Sequence, residues 1–437
     1  MSIQAYYEHV EQDVLGAMRK PRPIYWVALG FTVLAVIGAI IAWGFQLFIG
    51  MGEAGITHPV GWAVYITNFD FWIGIAHSGT LISAILFLLR ARFRNAFNRT
   101  AEAMTIFAIM TAGLFPIIHL GRAWKAYFVF PYPTERLIWI NFRSPLVWDV
   151  FAISTYLTIS VIFFYVGLIP DLAAARRHFT GFREWLYKIL SLGWEGTLNQ
   201  WRHYERLYVF LAAFATPLLL SVHSVASWDF AMSIVPGWHS TLFAPYFVAS
   251  AIFSGTAMVF TLAVPMRRIL KLENLISVDD FEKLAKILLL MGLIVTYSYI
   301  VELCLALYSG NLFEIAAYKY RMWGHYTIIY WVMIFCNVVM PLTIFIKKLR
   351  RNINYLFALS ILINVGIWLE RFVIIVSSLS HEYDPYSWGP YAPRLVEILI
   401  TTGSFGLFFT LFLIFSKLLP VLSFSEIKEQ RGEAHEK

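Results

Sequence analysis

Charged residues are scarce in this 437-residue chain. Asp, Glu, Lys and Arg together make up 14% of it, whereas soluble domains carry roughly a quarter. Hydrophobic residues account for 59%, more than a soluble fold can hide from water, so the composition excludes an ordinary soluble enzyme. Long apolar runs favour membrane-spanning helices, because a helix pairs its own backbone groups within lipid.

Cysteine is almost absent: Cys304 and Cys336 are the only two, and both fall inside apolar runs. Neither belongs to a Cys-x-x-Cys pair or a Cys/His ligand spacing, so we expect no disulfide framework and no iron–sulfur cluster or zinc site in this chain. We expect no haem either, because the histidines of the apolar runs do not form evident pairs at two depths. Linkers and low-complexity tracts are also missing, which leaves no room for a soluble catalytic domain. No cleavable signal peptide is expected, because residues 1–22 are polar and the first apolar run is too long.

The hydropathy pattern predicts an all-α integral membrane protein with about ten transmembrane helices, each near the ~20 residues that a span requires. The runs are 24–48, 68–90, 101–121, 146–170, 206–226, 242–264, 284–308, 325–348, 355–378 and 394–420. We therefore divide the chain into an amphipathic cytoplasmic segment (1–23), a ten-helix membrane domain (24–420) and a cytoplasmic tail (421–437).

Lysine and arginine alternate between the two sides of these spans. With a cytoplasmic N-terminus, 26 of the 34 fall on the cytoplasmic side if Lys417, at the inner end of the last run, is counted there, and the other eight lie in outer segments or spans. Because positive residues are retained inside, this bias predicts that both termini are cytoplasmic. The net charge of +7 then reflects membrane topology, and no nucleic-acid partner is expected.

A short motif recurs in the second and sixth runs. Phe71 and Phe247 are each followed, seven residues later, by Ser-Gly-Thr, at 78–80 and 254–256, in spans of the same orientation. The recurrence indicates two parallel four-helix units, spans two to five and six to nine, with the first and last spans flanking them. A chance match of three small residues is the alternative.

Ionisable residues gather towards the outer side of the spans. A charge in the hydrocarbon core costs at least ~2.5 kcal/mol, so such residues are functional candidates. They are His77, His119, Asp149, His223, Asp229, Glu302, Glu370, Arg371, Arg394 and Glu397. Together they predict a polar pocket open to the outer side, and we find no comparable set in the inner halves.

Each of these residues also has a simpler interpretation. Asp149 can cap a helix, Arg394 can extend to the membrane surface, His223 can bond a backbone carbonyl, and Glu370 can pair with Arg371 or Arg394. The aromatic and basic loop at 122–145 is either an interfacial belt or a docking surface for a partner.

Three stretches carry a family resemblance. They are NFDFWIGIAHSGTLISAILFLLR from Asn68, AEAMTIFAIMTAGLFPIIHLGRAWKAYFVFP from Ala101 and NFRSPLVWDVFAISTY from Asn141. With a SVHSVASWDFA segment from Ser221, they resemble the NrfD/PsrC family of quinol-interacting membrane subunits, and most of all the C subunit of alternative complex III. The resemblance spans essentially the whole chain.

The resemblance implies a haem-free subunit of the bacterial inner membrane that reacts with quinone. It has two four-helix bundles and lies beside an extracytoplasmic iron–sulfur subunit. In alternative complex III, electrons pass from quinol through iron–sulfur clusters to the c-type haems of a multihaem cytochrome c subunit, and a second NrfD-like membrane subunit is present. No activity is expected from this chain alone. Family members with molybdenum partners act in the reverse direction.

Carried over onto this chain, the family's quinol pocket falls on four motifs. Its residues are His119 in GLFPIIHLGR, Asp149 in RSPLVWD, Asp229 in SVASWDF and Arg371 in WLERF. We expect His119, Asp149 and Asp229 to be catalytic, as proton acceptors. His77 and Arg394 are weaker matches for quinol binding, and His223 and Glu302 are candidates for proton release.

Two other functions stay open from the sequence. A secondary transporter would place polar residues at the midplane and break its helices there, and prolines at 116, 217, 245, 265 and 341 do fall in spans. The other alternative is a structural anchor without a quinone site.

Overall fold

Ten long helices form the protein in a computed structural model, which describes residues 14–16, 18, 21–130, 140–424 and 426–427. All ten are long and apolar enough to cross a membrane, so the predicted all-α integral membrane fold is confirmed. We number them α1 (Pro23–Ile49), α2 (Val64–Leu88), α3 (Asn98–His119), α4 (Pro145–His178), α5 (Leu198–Ala231), α6 (Phe243–Ile269), α7 (Val278–Ser309), α8 (Thr327–Phe345), α9 (Ile353–Ser377) and α10 (Leu395–Leu418). The short helices Phe182–Leu190 and Leu312–Trp323 lie between spans.

Several helices are longer than the apolar runs that predict them. Helix α5 begins at Leu198, eight residues before the predicted run, because Thr197 and Gln200 form a reciprocal capping box there. Ser277 and Asp280 cap α7 in the same way. Hydropathy locates the part of a helix in lipid, whereas capping side chains set where the helix begins.

Alternate ends of the ten helices meet at the same face. We call the face that carries the loops after α1, α3, α5, α7 and α9 the outer face, following the predicted orientation, and the opposite one the inner face.

Most of the predicted N-terminal segment lies outside the described residues. Within the described part of this segment, the apolar residues Val14 and Met18 are buried. The carbonyl oxygen of Met18 accepts a hydrogen bond from Arg183 Nη1 at 3.2 Å.

The helices pack as two four-helix bundles. In the first, α2 packs on α3 and α5, and α4 packs on both α3 and α5; in the second, α6 packs on α7 and α9, and α8 on α9. The remaining pair, α1 and α10, packs together along one side, where α10 also contacts α3. This arrangement confirms the predicted two-bundle architecture with flanking first and last helices.

The recurring Ser-Gly-Thr motif lies where the bundles meet. Ser78 Oγ donates to the carbonyl oxygen of Ile252 at 2.6 Å and lies 2.9 Å from Thr256 Oγ1. A Cβ at Gly255 would be 2.6 Å from the carbonyl oxygen of Ile75. The small residues therefore allow α2 and α6 to approach closely and join the two bundles at their centre.

Candidate functional site

A buried arginine is the centre of the polar interior. Arg371 of α9 is 1% exposed. Its Nε lies 3.2 Å from Asp70 Oδ2 and its Nη1 lies 3.6 Å from Glu370 Oε1. Its Nη2 donates to Ser250 Oγ at 3.1 Å, and its guanidinium lies 4.0 Å from the centre of the Phe247 ring. A buried cation is tolerated only when anions accompany it, and two carboxylates do so here.

Glu370 is held mainly by hydroxyl groups. Ser250 Oγ donates to Glu370 Oε1 at 2.6 Å, and the Tyr299 hydroxyl donates to Glu370 Oε2. Asn337 Nδ2 donates in turn to the Tyr299 hydroxyl oxygen at 2.9 Å. Glu370 therefore does more than pair with Arg371, because it joins helices α6, α7, α8 and α9 in one hydrogen-bonded group.

Asp70 belongs to this group, although the sequence analysis did not select it. It lies seven residues before His77 in α2, on the same face of the helix, and it is 1% exposed. Neither of its carboxylate oxygens makes a hydrogen bond within the described part of the chain. The sequence does contain a signal for Asp70, because it is an acidic residue inside an apolar run and lies seven residues from the candidate His77.

Two candidate histidines contact each other beside the central arginine. The rings of His77 and His223 are 4.4 Å apart between centroids, and both side chains are fully buried. His77 Nδ1 lies 2.7 Å from the carbonyl oxygen of Ile73, whereas neither ring nitrogen of His223 is hydrogen-bonded among the described residues. Both rings lie within electrostatic reach of Arg371. The simpler interpretation of His223, a hydrogen bond to a backbone carbonyl, therefore does not fit the described residues, whereas His77 does make such a bond.

Asp149 and Asp229 form a carboxyl pair between α4 and α5. Their side chains are close enough to influence each other, and Asp70 exerts an electrostatic effect on both. Asp149 is the fifth residue of α4, after Ser144 at the N-cap position, and its oxygens bond no described backbone N–H group. The capping interpretation of Asp149 therefore does not fit. Two buried carboxylates close to each other repel when both are ionised, so a pair of this kind can hold a proton.

The structure brings five of the eight sequence-predicted site residues together. They are His77, Asp149, His223, Asp229 and Arg371. His119, the last residue of α3, is half-buried, and its Nδ1 has no hydrogen-bond partner within the described ranges. Arg394 is exposed before α10 and donates to the carbonyl oxygen of Gly52 at 2.8 Å.

Glu302 lies apart from the five, in a second polar group. Its Oε1 is 3.7 Å from Nη1 of Arg321. Arg321, in the short helix Leu312–Trp323, donates to Ser377 at 2.8 Å and to Ser378 at 2.5 Å. Glu302 also lines a cavity of about 570 Å³, which lies between the outer ends of α5 and α7 and reaches Trp228, the neighbour of Asp229.

The expectation of no polar set in the inner halves was wrong. Arg99 donates to Glu102 at 2.9 Å and to Asp171 at 2.8 Å, and all three are at most 3% exposed. Glu102 also accepts from the Tyr208 hydroxyl at 3.0 Å. Arg99 and Asp171 fall just outside the apolar runs, in predicted cytoplasmic segments, whereas α3 and α4 extend far enough to include both residues.

The inner polar group extends to the end of the described chain. Arg94 Nη2 lies 3.1 Å from Glu426 Oε1, and Asn98 donates to the same carboxylate. Burial lowers the pKa of Arg94, but Glu426, with smaller contributions from Tyr208 and Glu102, more than offsets this effect, so the pKa of Arg94 is raised. Arg94 therefore stays charged at its buried position between α2 and α3.

The fold and these buried ionisable groups define a multi-pass membrane protein with a polar interior shared by two helical bundles. The sequence matches the family model described as polysulphide reductase, NrfD, over residues 52–381. Since that match covers most of the chain, the protein belongs to the NrfD family.

Three relatives align along nearly their whole length. A Halobacterium salinarum protein provisionally named as a dimethyl sulfoxide reductase membrane subunit is 25% identical, over 86% of each chain. A selenate reductase subunit of Mesobacillus selenatarsenatis is 22% identical, over 92% of this chain and 95% of the relative. The Hdr-like menaquinol oxidoreductase integral membrane subunit of Archaeoglobus fulgidus is 20% identical, over 91% of this chain and 95% of the relative. Each is named as one part of a larger oxidoreductase.

Proposed function

We propose that this chain is the quinol-oxidising membrane subunit of a multi-subunit oxidoreductase in a bacterial inner membrane. The carrying observation is the Asp149–Asp229 carboxyl pair, which lies near the outer ends of α4 and α5 and within electrostatic reach of Asp70. Family membership and the relative named as a menaquinol oxidoreductase subunit support quinol as the substrate.

The proposed chemistry needs proton acceptors and a means of balancing charge. Oxidising a quinol to a quinone releases two protons and two electrons. Asp149, Asp229 and His119 accept protons in this proposal, because a carboxylate or a neutral imidazole is a competent base. Arg371 offsets the negative charge of the acids, His77 and Arg394 contribute to binding, and His223 and Glu302 carry protons away.

The electrons leave to a partner subunit on the outer face. We assign this role to an extracytoplasmic iron–sulfur subunit, followed by a multihaem cytochrome c subunit, with a second NrfD-like membrane subunit alongside, as in alternative complex III. Exposed Trp124 and Phe130 in the loop after α3 support an outer-face contact. Residues 131–139 of that predicted loop lie outside the described residues.

A second candidate is the quinone-reactive anchor of a molybdenum oxidoreductase. The relatives named as dimethyl sulfoxide and selenate reductase subunits favour it. Copurification distinguishes the two: a multihaem cytochrome in the same detergent peak supports the first arrangement, and a molybdenum protein supports the second.

Helix continuity counts against the transporter alternative. Pro116, Pro217 and Pro265 lie inside α3, α5 and α6, and these helices continue past them. Around Pro341, α8 changes to a π-helical turn and then a 3₁₀ turn, but it stays helical. A transporter of the broken-helix type would unwind at such positions to expose backbone groups to its substrate.

The test is quinol-dependent reduction of the partner centres by purified, assembled complexes that carry Asp149→Asn or His119→Ala. Asn keeps the size of Asp149 but removes its charge and basicity, so turnover is expected to fall by roughly 10²- to 10⁴-fold. Direct electron exchange among the partner centres should be unchanged. Asp279→Asn, an exposed inner-face change, is the matched control. Near wild-type rates in both site variants would rule out this pocket.

A further inference from the structure

A short helix at the inner face presents an apolar stripe that points away from the protein. It is the helix Phe182–Leu190, in the connection between α4 and α5. Phe182, Trp185 and Ile189 are spaced as one face of a helix, and they are 72%, 56% and 51% exposed. Leu192, just beyond the end of the helix, is also exposed. Large apolar side chains gathered at a surface mark a site of interaction.

The opposite face of this helix is fixed to the protein. Successive residues of a helix are about 100° apart, so Tyr187 lies roughly 140–160° from the members of the stripe. Tyr187 is buried, and its hydroxyl donates to the carbonyl oxygen of Leu418 at 2.6 Å. Arg183, which donates to the carbonyl oxygen of Met18, is also turned away from the stripe. These two bonds set the orientation of the helix and leave the stripe facing outwards.

The two flanks of the stripe differ in polarity. Glu184 and Lys188, four residues apart and therefore neighbours on the helix surface, are both exposed. The other flank carries Leu186 and Leu190, which are half-buried. A helix with charges on one flank and apolar residues on the other suits a boundary between water and hydrocarbon, where tryptophan is also enriched.

Two hydrogen bonds place the helix at the depth of that boundary. The hydroxyl of Tyr165, in α4, donates to the carbonyl oxygen of Leu190 at 2.8 Å. From Pro145, the first residue of α4, to Tyr165 the rise is roughly 30 Å at 1.5 Å per residue, which equals the ~30 Å hydrocarbon core of a bilayer. Leu418, which accepts the bond from Tyr187, is the last residue of α10. The helix therefore lies level with the inner boundary of the core.

The neighbouring spans also expose apolar side chains near this end. Ile414 and Leu418 of α10 are exposed, and so is Ile162, one turn before Tyr165 in α4. Spans expose such side chains where lipid surrounds them. The stripe therefore lies beside surfaces that lipid covers, which favours lipid over a cytoplasmic protein as its partner.

We propose that the helix Phe182–Leu190 lies in the headgroup region of the inner leaflet, with Phe182, Trp185 and Ile189 inserted among the upper parts of the acyl chains. Glu184 and Lys188 face water in this arrangement. Because the helix is bonded to both α4 and α10, it anchors these two spans at the bilayer surface. This inference is independent of the quinol chemistry.

The test compares how often a nitroxide label collides with molecular oxygen, which concentrates in lipid, and with a nickel chelate, which stays in water. Ile189→Cys and Lys188→Cys are labelled one at a time in the full-length protein, with any copurifying subunits, in phospholipid nanodiscs. Both carry Cys304→Ala and Cys336→Ala, so that the label has one site. The ratio of oxygen to nickel collisions should be several-fold higher for Ile189→Cys than for Lys188→Cys. The two positions are adjacent in sequence, so the difference reports which face of the helix meets lipid.

Two reference labels set the scale. Ile300→Cys is on the exposed side of α7, and Glu195→Cys is in the exposed connection before α5. The label at Ile189 should resemble the first, and the label at Lys188 the second. Frequent nickel collisions at both Ile189 and Lys188 would place the stripe in water. Rare collisions with both reagents at Ile189 would show that a protein partner covers it, and either outcome would overturn the proposal.

Discussion

At the scale of single residues, the interior is organised by one cation among several acids. Arg371 lies between Asp70 and Glu370, and its field reaches both buried histidines. A buried charge in an ion pair is retained at an energetic cost, which makes it a better indicator of function than of stability. Asp70, Asp149 and Asp229 then act as one electrostatic group, so a change at any of them alters the charge that the others experience.

The Asp70–Arg371 pair predicts strongly non-additive mutations. Removing one partner of a buried ion pair strands the other charge and costs roughly 3–5 kcal/mol, so Asp70→Asn and Arg371→Gln should each lower thermal stability markedly. The double variant should lose less than the sum of the two, by about 0.5–3 kcal/mol of coupling. Thermal unfolding of all four proteins in one detergent gives the coupling, and strictly additive losses would contradict the pairing.

At the scale of helices, small residues allow particular pairs of spans to pack closely. A Cβ at Gly79 would lie 1.8 Å from Thr105 Oγ1 and 2.3 Å from the carbonyl oxygen of Ala101, so α2 and α3 are in close backbone contact there. Similarly, a Cβ at Gly403 of α10 would lie 2.0 Å from Ala39 Cβ of α1. Close approach of backbones, rather than apolar surface alone, holds helices together in lipid.

A matched pair of glycine variants tests this close contact. Gly79→Ala forces α2 away from α3, and overpacking of this kind typically costs about 1–3 kcal/mol. Gly113→Ala, in α3, has no neighbour within 4 Å of the new methyl group and should be neutral or slightly stabilising, because alanine favours the helix. Detergent-solubilised yield and melting temperature report the difference. Similar melting temperatures for the two variants would show that α2 and α3 are less tightly packed.

The helices were predictable from the sequence to a greater extent than the site. Ten apolar runs suffice to identify ten spans, because lipid admits hardly any other structure. Hydropathy indicates the depth of an ionisable residue but not which helices contact each other. The contact of His77 with His223, between α2 and α5, was therefore not predictable, and neither was the joining of Arg99 to Asp171 between α3 and α4.

At the scale of the whole molecule, the asymmetry of charge along the sequence predicts which face of the protein is extracytoplasmic. The carboxyl pair Asp149–Asp229 lies near the face predicted to be extracytoplasmic, and the Arg99–Glu102–Asp171 group lies near the opposite one. The orientation of the chain therefore decides on which side quinol protons are released in the proposed reaction.

Reporter fusions test this orientation. A reporter fused after Gly237, in the loop between α5 and α6, should report an extracytoplasmic location. One fused after Arg350, between α8 and α9, should report a cytoplasmic location, because 26 of the 34 basic residues are predicted to lie on that side. A fusion that retains the full chain with a tag at the C-terminus serves as the cytoplasmic control. The same location for the Gly237 and Arg350 fusions would contradict the ten-span topology.

The pairing of α1 with α10 has a consequence for how the protein is made. The ribosome synthesises α1 first and α10 last, so α1 lies in the bilayer without its main helical partner until nearly the entire chain has been synthesised. The composition of α1 allows it to remain exposed to lipid during this time, because Pro23–Ile49 contains no charged residue. By contrast, α2 inserts with Asp70 and His77 and gains α3 as a neighbour immediately afterwards. The order of synthesis therefore suits the packing of α1 on α10 and of α2 on α3, whereas Asp70 acquires its ion-pair partner Arg371 only once α9 has been made.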